Sequence, residues 1–319
     1  MCNSLKVTTF GTRGSIPVSN PESIIYGGNT TCLRIESPCI PKEKALIVDA
    51  GSGYLPCSYR LLGEKVHDVH VLFTHYHHDH TQGLLLAPPT FIKSIKTHLY
   101  GPVDAGGVGP KEMWKTIMQP PYFPVHHKLH ESHFSFHPLE FPQTQVMLVH
   151  NQGGIRMMDV DQYETLNLKD GYIPIGKGKY PKSEILVISM YMSNHPENTI
   201  CYAFDEGLTG KKFVFLTDHE NHDSNPNDLK NHIKGADLLV MDCQYSRLKY
   251  DSMTAGYGHG TPDYCVRTAR EVGAKLLGLT HHDPNAKDLD VEGILAEAKA
   301  CVPREVDVFT CRDYQEIEV

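Results

Sequence analysis

The chain has 319 residues, 40% of them apolar and 21% charged, with a net charge of −8, an ordinary soluble composition with length enough for one large domain or two smaller ones and a substantial core. That charge excludes a global basic field for gathering nucleic acid, so an anionic substrate must be held locally and no stable nucleic-acid partner is expected. No apolar run approaches the roughly 18 residues of a membrane span. The opening Met1-Cys2-Asn3-Ser4-Leu5-Lys6 lacks a secretory pattern, so a cytoplasmic location is expected.

Short β-rich runs recur from the start. Val7–Phe10 precedes Gly11-Thr12-Arg13-Gly14-Ser15, Cys32–Ile35 is followed by Ala45–Asp49, and the apolar run Asp68–Thr74 stops at His75. Segment 111–142 is rich in proline, histidine and aromatics and reads as an insertion or elaborated loop. Its histidines, His126, His127, His130, His133 and His137, have no ligand spacing. Further strands are expected at Ile185–Met192, Thr199–Phe204, Phe213–Leu216, Leu238–Met241, Lys275–Leu279 and Val306–Phe309. One helix begins at Thr261 as N-cap with Pro262 at its first position, and stops at Gly273; another covers Val291–Ala300. Strands outnumber helices, which suggests sheets packed face to face with helices outside.

The nine cysteines include no C-x-x-C pair and read as free thiols in a reducing compartment. The twenty histidines stand out, since neutral imidazole is the commonest metal ligand. Their placement decides. In His75-Tyr76-His77-His78-Asp79-His80, extended backbone points His75 and His77 the same way, while Asp79 and His80 come where the chain turns and can reach a second ion. Mixed imidazole and carboxylate donors suit Zn²⁺ foremost, or Mn²⁺ or Fe²⁺.

H-x-H-x-D-H after an apolar strand resembles the signature of the metallo-β-lactamase superfamily. The resemblance implies an α+β fold, a four-layer αββα sandwich of two mixed sheets, as one domain over residues 1–319. Asp49-Ala50-Gly51-Ser52-Gly53 looks like the motif whose aspartate braces the ligand loop. Asn194-His195-Pro196, Thr217-Asp218 and His281-His282-Asp283 look like the remaining ligand positions, His281 being the better match of its pair. One divalent ion then takes His75, His77, His195 and Asp218; the other takes Asp79, His80, Asp218 and His281. His78, His219 and His222 read as neighbours, with a role for His222 left open.

Tyr257-Gly258-His259-Gly260-Thr261 resembles the G-H-S/T motif of the phosphodiesterase branch, which includes tRNA 3′-processing ribonucleases, where the histidine assists the departing oxygen. Gly11–Pro17, Tyr26–Cys32 and Pro121–Val125 look like a cyclic-phosphodiesterase-like subgroup, in which homodimers are common. The implied reaction is attack of a metal-bridging hydroxide on a small cyclic phosphodiester, foremost a 3′,5′-cyclic nucleotide. His259 and Asp79 are the catalytic residues, and Arg13 approaches the phosphate. Two alternatives stay open: a phosphoribosyl cyclic phosphate diesterase or RNA-end nuclease, and a non-catalytic metal-bearing ligand sensor.

Overall fold

The computed structural model describes residues 4–193, 195, 197–301 and 306–319. Asn194 and Pro196, which flank His195, lie outside the described residues. Two large sheets form. The first runs Gln315–Glu318, Lys6–Gly11, Cys32–Glu36, Lys44–Val48, Asp68–Leu72, Lys96–Pro102, Phe134–Leu139 in spatial order. The second runs Asp307–Thr310, Leu276–Thr280, Leu238–Asp242, Lys211–Leu216, Thr199–Glu206, Leu186–Ser193, Gln145–His150, Gly154–Asp159.

Alternation along the strands builds the layers. In Leu238–Asp242, Leu238 and Val240 point into the core between the sheets with Leu46, Val48, Leu72 and Phe215, while Leu239 and Met241 point outward. There they meet Val266 and Ala269 of the helix Pro262–Val272, Leu229 and Ile233 of Asn227–Ile233, and Ile294 and Ala298 of Asp288–Cys301. The outer face of the first sheet, with Ile47, Val69, Val71 and Leu99, is covered by Tyr54, Cys57 and Leu61 of the helix Tyr54–Gly63, and by Trp114. The result is the four-layer αββα sandwich.

Each sheet contains four strands that run parallel: those starting at Lys44, Asp68, Lys96 and Phe134 in the first, and at Lys211, Leu238, Leu276 and Asp307 in the second. The loops at the carboxyl ends of several of them hold the site. That placement follows the general rule that open parallel sheets bind ligands beyond their strand ends.

Segment 111–142, expected as an insertion or elaborated loop, carries regular structure. It supplies most of the helix Pro110–Ile117, whose Trp114 is fully buried, and the edge strand Phe134–Leu139. Pro138 is tolerated there because that strand has a neighbour on one side only. The exposed Tyr122 marks the loop between them. Thr261 and Gly273 (φ 68°) bound their helix as expected, although the Thr261 hydroxyl donates to Asp263 Oδ1, at 2.7 Å, rather than capping a backbone N–H. Among the described residues the cysteines are unpaired and all but Cys301 buried, and no helix is long and apolar enough to cross a membrane.

Candidate metal centre and proton donor

Strand tips carry the candidate ligands. Asp49 follows Lys44–Val48, His75 follows Asp68–Leu72, Asp218 follows Lys211–Leu216 and His281 follows Leu276–Thr280. Asp49 (φ 59°), Asp218 (48°), His281 (63°) and Ser15 (65°) adopt left-handed backbone, four of the six non-glycine residues that do so among the described residues. Each such residue costs of order 1–3 kcal/mol, and their clustering marks the region where the fold holds strain.

The side chains of the seven predicted ligands converge. His77 Nδ1 lies 2.9 Å from His75 Nε2 and 3.4 Å from His195 Nε2, with Asp218 Oδ1 3.9 Å from His75 Nε2. Beside this set, Asp79 Oδ2 lies 3.4 Å from His80 Nε2 and 3.2 Å from His281 Nε2. Asp218 joins the two: Oδ2 is 3.3 Å from His80 Nε2 and Oδ1 is 3.4 Å from His281 Nε2. Within His75, His77, His195 and Asp218, and again within Asp79, His80 and His281, the donor atoms lie within 4.8 Å of one another. Asp49 braces the loop. It accepts from the Thr74 N–H (2.8 Å) and hydroxyl (2.9 Å) and meets His80 Nδ1 at 2.8 Å, leaving His80 Nε2 for a ligand. The Ser15 N–H donates to Asp79 Oδ2 at 2.7 Å. Gly14 must lack a side chain, because a Cβ there would sit 2.5 Å from His281 Cε1.

Asp79 and Asp218 are buried, and among the described residues their ion-pair partners are imidazoles, never Lys or Arg. Burial would raise both carboxyls, yet His80 and His281 hold them well below the usual carboxylate range. Conversely, burial opposes charge on His281, but Asp218, Asp242 and Asp79 push it up to about 9. His80 Nε2 is buried with no hydrogen-bond partner. A buried anionic cluster with a free imidazole nitrogen fits divalent cations held by N and O donors. Because His281 is protonated below about 9 in the metal-free protein and must lose that proton to ligate, uptake on this side should release protons. Burial opposes charge on His80 too, but Asp79, Asp218 and Asp49 hold it protonated, so affinity should rise at least about tenfold per pH unit between pH 6 and 9. Zn²⁺ titration against a competing chelator from pH 6 to 9.5 checks this, and a flat profile contradicts it.

His259 stands over the junction of the two sets, its ring 5.0 Å from His281 and 5.8 Å from His195. Its Nδ1 lies 2.7 Å from Asp242 Oδ2, which leaves Nε2 as the nitrogen available to a substrate. Sequence reasoning missed Asp242, a fully buried carboxylate at the tip of Leu238–Asp242. Its signal was available: an acid directly after an apolar strand, in register with Thr280 just before His281.

A family profile of the beta-lactamase superfamily domain matches residues 45–282. The chain belongs to the beta-lactamase superfamily. Among solved structures of this fold it is similar to yeast PDE1 (TM-score 0.65, 12% identity, all of both chains covered). It is also similar to the metallo-beta-lactamase fold protein YhfI from Bacillus subtilis (TM-score 0.62, 18% identity, 99% of this chain and 100% of that one). A diphosphatase from the PhnP family gives a TM-score of 0.58 at 14% identity, covering 99% and 98%. In sequence, 102 residues are 35% identical to ribonuclease Z of Brevibacillus brevis; they are 31% of this chain and span only 30% of that protein.

Within this superfamily member one expectation needs correction. Arg13 does not face the site. Its guanidinium is buried and donates to three backbone carbonyls, Gly27 (2.9 Å), Asp283 (3.0 Å) and Ala286 (2.8 Å), so it ties two loops behind the ligand cluster. Arg13→Ala should cost about 2–4 kcal/mol by stranding these acceptors, seen as a lower denaturation midpoint with KM of the folded fraction unchanged. A raised KM at unchanged stability would restore the substrate role.

The other histidines separate cleanly. His282 turns away, with Nε2 2.8 Å from the Cys311 carbonyl, while His281 enters the cluster. His219 is a core residue between the Ser193 hydroxyl (2.6 Å) and Tyr264 OH (2.7 Å). Of the five in segment 111–142, His133 bonds the Pro89 and Thr90 carbonyls and His137 stacks on Tyr100 at 4.2 Å. A further group, Asp68, His70 and His98, lies at the opposite strand ends. Its imidazoles stack in parallel, 4.4 Å apart at 4°, so their nitrogens run side by side, and Lys44 pairs with Asp68. That is a cross-strand stack whose carboxylate is shared by Lys44, His70 and His98.

Proposed function

We propose that this metallo-β-lactamase-fold protein is a metal-dependent phosphodiesterase that opens a small cyclic phosphodiester, foremost a 3′,5′-cyclic nucleotide. The observation that carries the reading is His259, backed by Asp242 at 2.7 Å and facing the seam between the two ligand sets. Two divalent cations bound there, Zn²⁺ foremost, would neutralise phosphoryl oxygens and bring water ionisation to about pH 7. His75, His77, His195 and Asp218 would hold one, and Asp79, His80, Asp218 and His281 the other.

The chain's own groups do the rest. Asp79, held by the Ser15 N–H, orients the incoming water toward phosphorus. Water adds to phosphorus and gives up one proton to solvent, the ring P–O bond breaks, and the leaving ribose oxygen takes a proton from His259 Nε2. Asp242 balances the charge at Nδ1, and the product is a nucleoside monophosphate. The similarity to a diphosphatase, to yeast PDE1 and, over 102 residues, to a ribonuclease Z supports phosphorus–oxygen chemistry.

The test is a direct comparison of 3′,5′-cyclic mono- and dinucleotides, a ribosyl cyclic phosphate and RNA, using protein loaded with Zn²⁺ or Mn²⁺. Conversion of a cyclic nucleotide to its monophosphate, lost on chelation, is expected. If every cyclic nucleotide survives while the metals are bound, the reading fails. Cleavage of RNA instead would favour the second reading, which the ribonuclease Z match supports and the net charge of −8 opposes. Assembly as a homodimer is part of the proposal and is read by sedimentation.

A further inference from the structure

The two residues that follow Asp218 in sequence step, His219 aside, reach forward to the loop that carries His259. Glu220 accepts hydrogen bonds from the Gly258 N–H, from the Tyr250 hydroxyl and, at 3.5 Å, from the Gly256 N–H. Asn221 takes the other flank. Its Oδ1 accepts from the Thr261 N–H at 3.2 Å, and its Nδ2 donates to the Thr261 hydroxyl at 3.1 Å. Consecutive side chains therefore pin the residues on both sides of His259.

The Gly258 peptide has a second engagement. Its carbonyl lies 3.2 Å from His195 Nδ1. A carbonyl can only accept, so this contact places the proton of neutral His195 on Nδ1 and leaves Nε2 bare toward His77. One residue, held on one face by Glu220, thus neighbours the proton donor and fixes the tautomer of a candidate ligand. Gly258 sits at φ 90°, open to glycine and strained for any other residue, so the loop relies on outside contacts for its shape. It is preceded by a π-helical turn, Tyr250–Thr254, whose first residue is the tyrosine bound to Glu220.

We propose that Glu220 is a positioning residue of this site. By gripping the Gly258 N–H and Tyr250 it sets where His259 stands over the reacting phosphate, with Asn221 holding the far side. This rests on the reading of His259 as the donor of the leaving-group proton. The 220–221 segment continues directly from Asp218, so the strand tip that offers the bridging carboxylate also fixes the donor's distance from it.

The experiment compares wild type, His259→Ala, Glu220→Ala, Glu220→Gln and Asn221→Ala, all with saturating Zn²⁺, on two diesters. In methyl p-nitrophenyl phosphate the nitrophenolate leaves unaided; in a 3′,5′-cyclic nucleotide the alkoxide needs a proton. His259→Ala should lose about 10²–10⁴-fold in kcat on the cyclic nucleotide and far less on the nitrophenyl ester. Glu220→Ala should show the same contrast, of order up to 10²-fold on the cyclic nucleotide, because a donor displaced by about 1 Å costs that much. Glu220→Gln, which still offers an acceptor to Gly258, should recover part of it, and KM should move little. Equal losses on both esters, or none, for Glu220→Ala would overturn the positioning role while the His259 contrast stands. If His259→Ala itself shows no contrast, the donor reading fails, and this inference with it.

Discussion

Asp218→Ala should give a protein that retains its fold, holds less than its full complement of metal, and loses more than about 10³-fold in kcat. The reason lies in the carboxylate's position between the two sets: Oδ1 at 3.9 Å from His75, Oδ2 at 3.3 Å from His80, and Oδ1 again at 3.4 Å from His281. Asp218→Asn would keep the shape and remove the charge, separating electrostatics from packing. Elemental analysis after exhaustive dialysis, together with initial rates, reads the outcome. Two tightly held ions and intact turnover in Asp218→Ala would disprove the bridging role.

His259→Ala should behave differently: both metals retained, and kcat down by about 10²–10⁴-fold on a substrate with an alkoxide leaving group. Asp242→Asn should follow part of the way, since it disturbs the group 2.7 Å from His259 Nδ1. A protein that only senses a ligand would bind it equally well in both variants and turn over nothing in wild type. The pair of measurements, metal content and rate, therefore distinguishes cation-holding residues from the proton donor.

The candidate ligands were legible because strand-tip chemistry is local. An apolar run that stops at His75-Tyr76-His77 declares both its direction and its donors, and His195, Asp218 and His281 repeat that grammar at other strand ends. Asp242 obeys the same rule but stands alone after Leu238–Met241, with no neighbouring histidine to call attention to it. Arg13 was misread because a glycine-flanked arginine looks like an exposed turn, whereas two of its carbonyl partners lie some 270 residues away. Glu220 was opaque for the same reason, its partners being backbone N–H groups of a loop that no side-chain pattern reveals. Among the elements, Lys96–Pro102 and Gln145–His150 escaped notice, the first because His98 and Pro102 dilute its apolar pattern.

The candidate ligands come from both sides of the sandwich: Asp79 and the first three histidines from loops of the first sheet, and His195, Asp218 and His281 from loops of the second. Ions seated there would rivet the halves together across the seam. A chain severed within the exposed turn near 140–144 would leave two fragments, neither able to complete a coordination sphere alone. Their reassembly would become a metal-gated event, tunable by chelator, which suits this scaffold to a split reporter of free zinc.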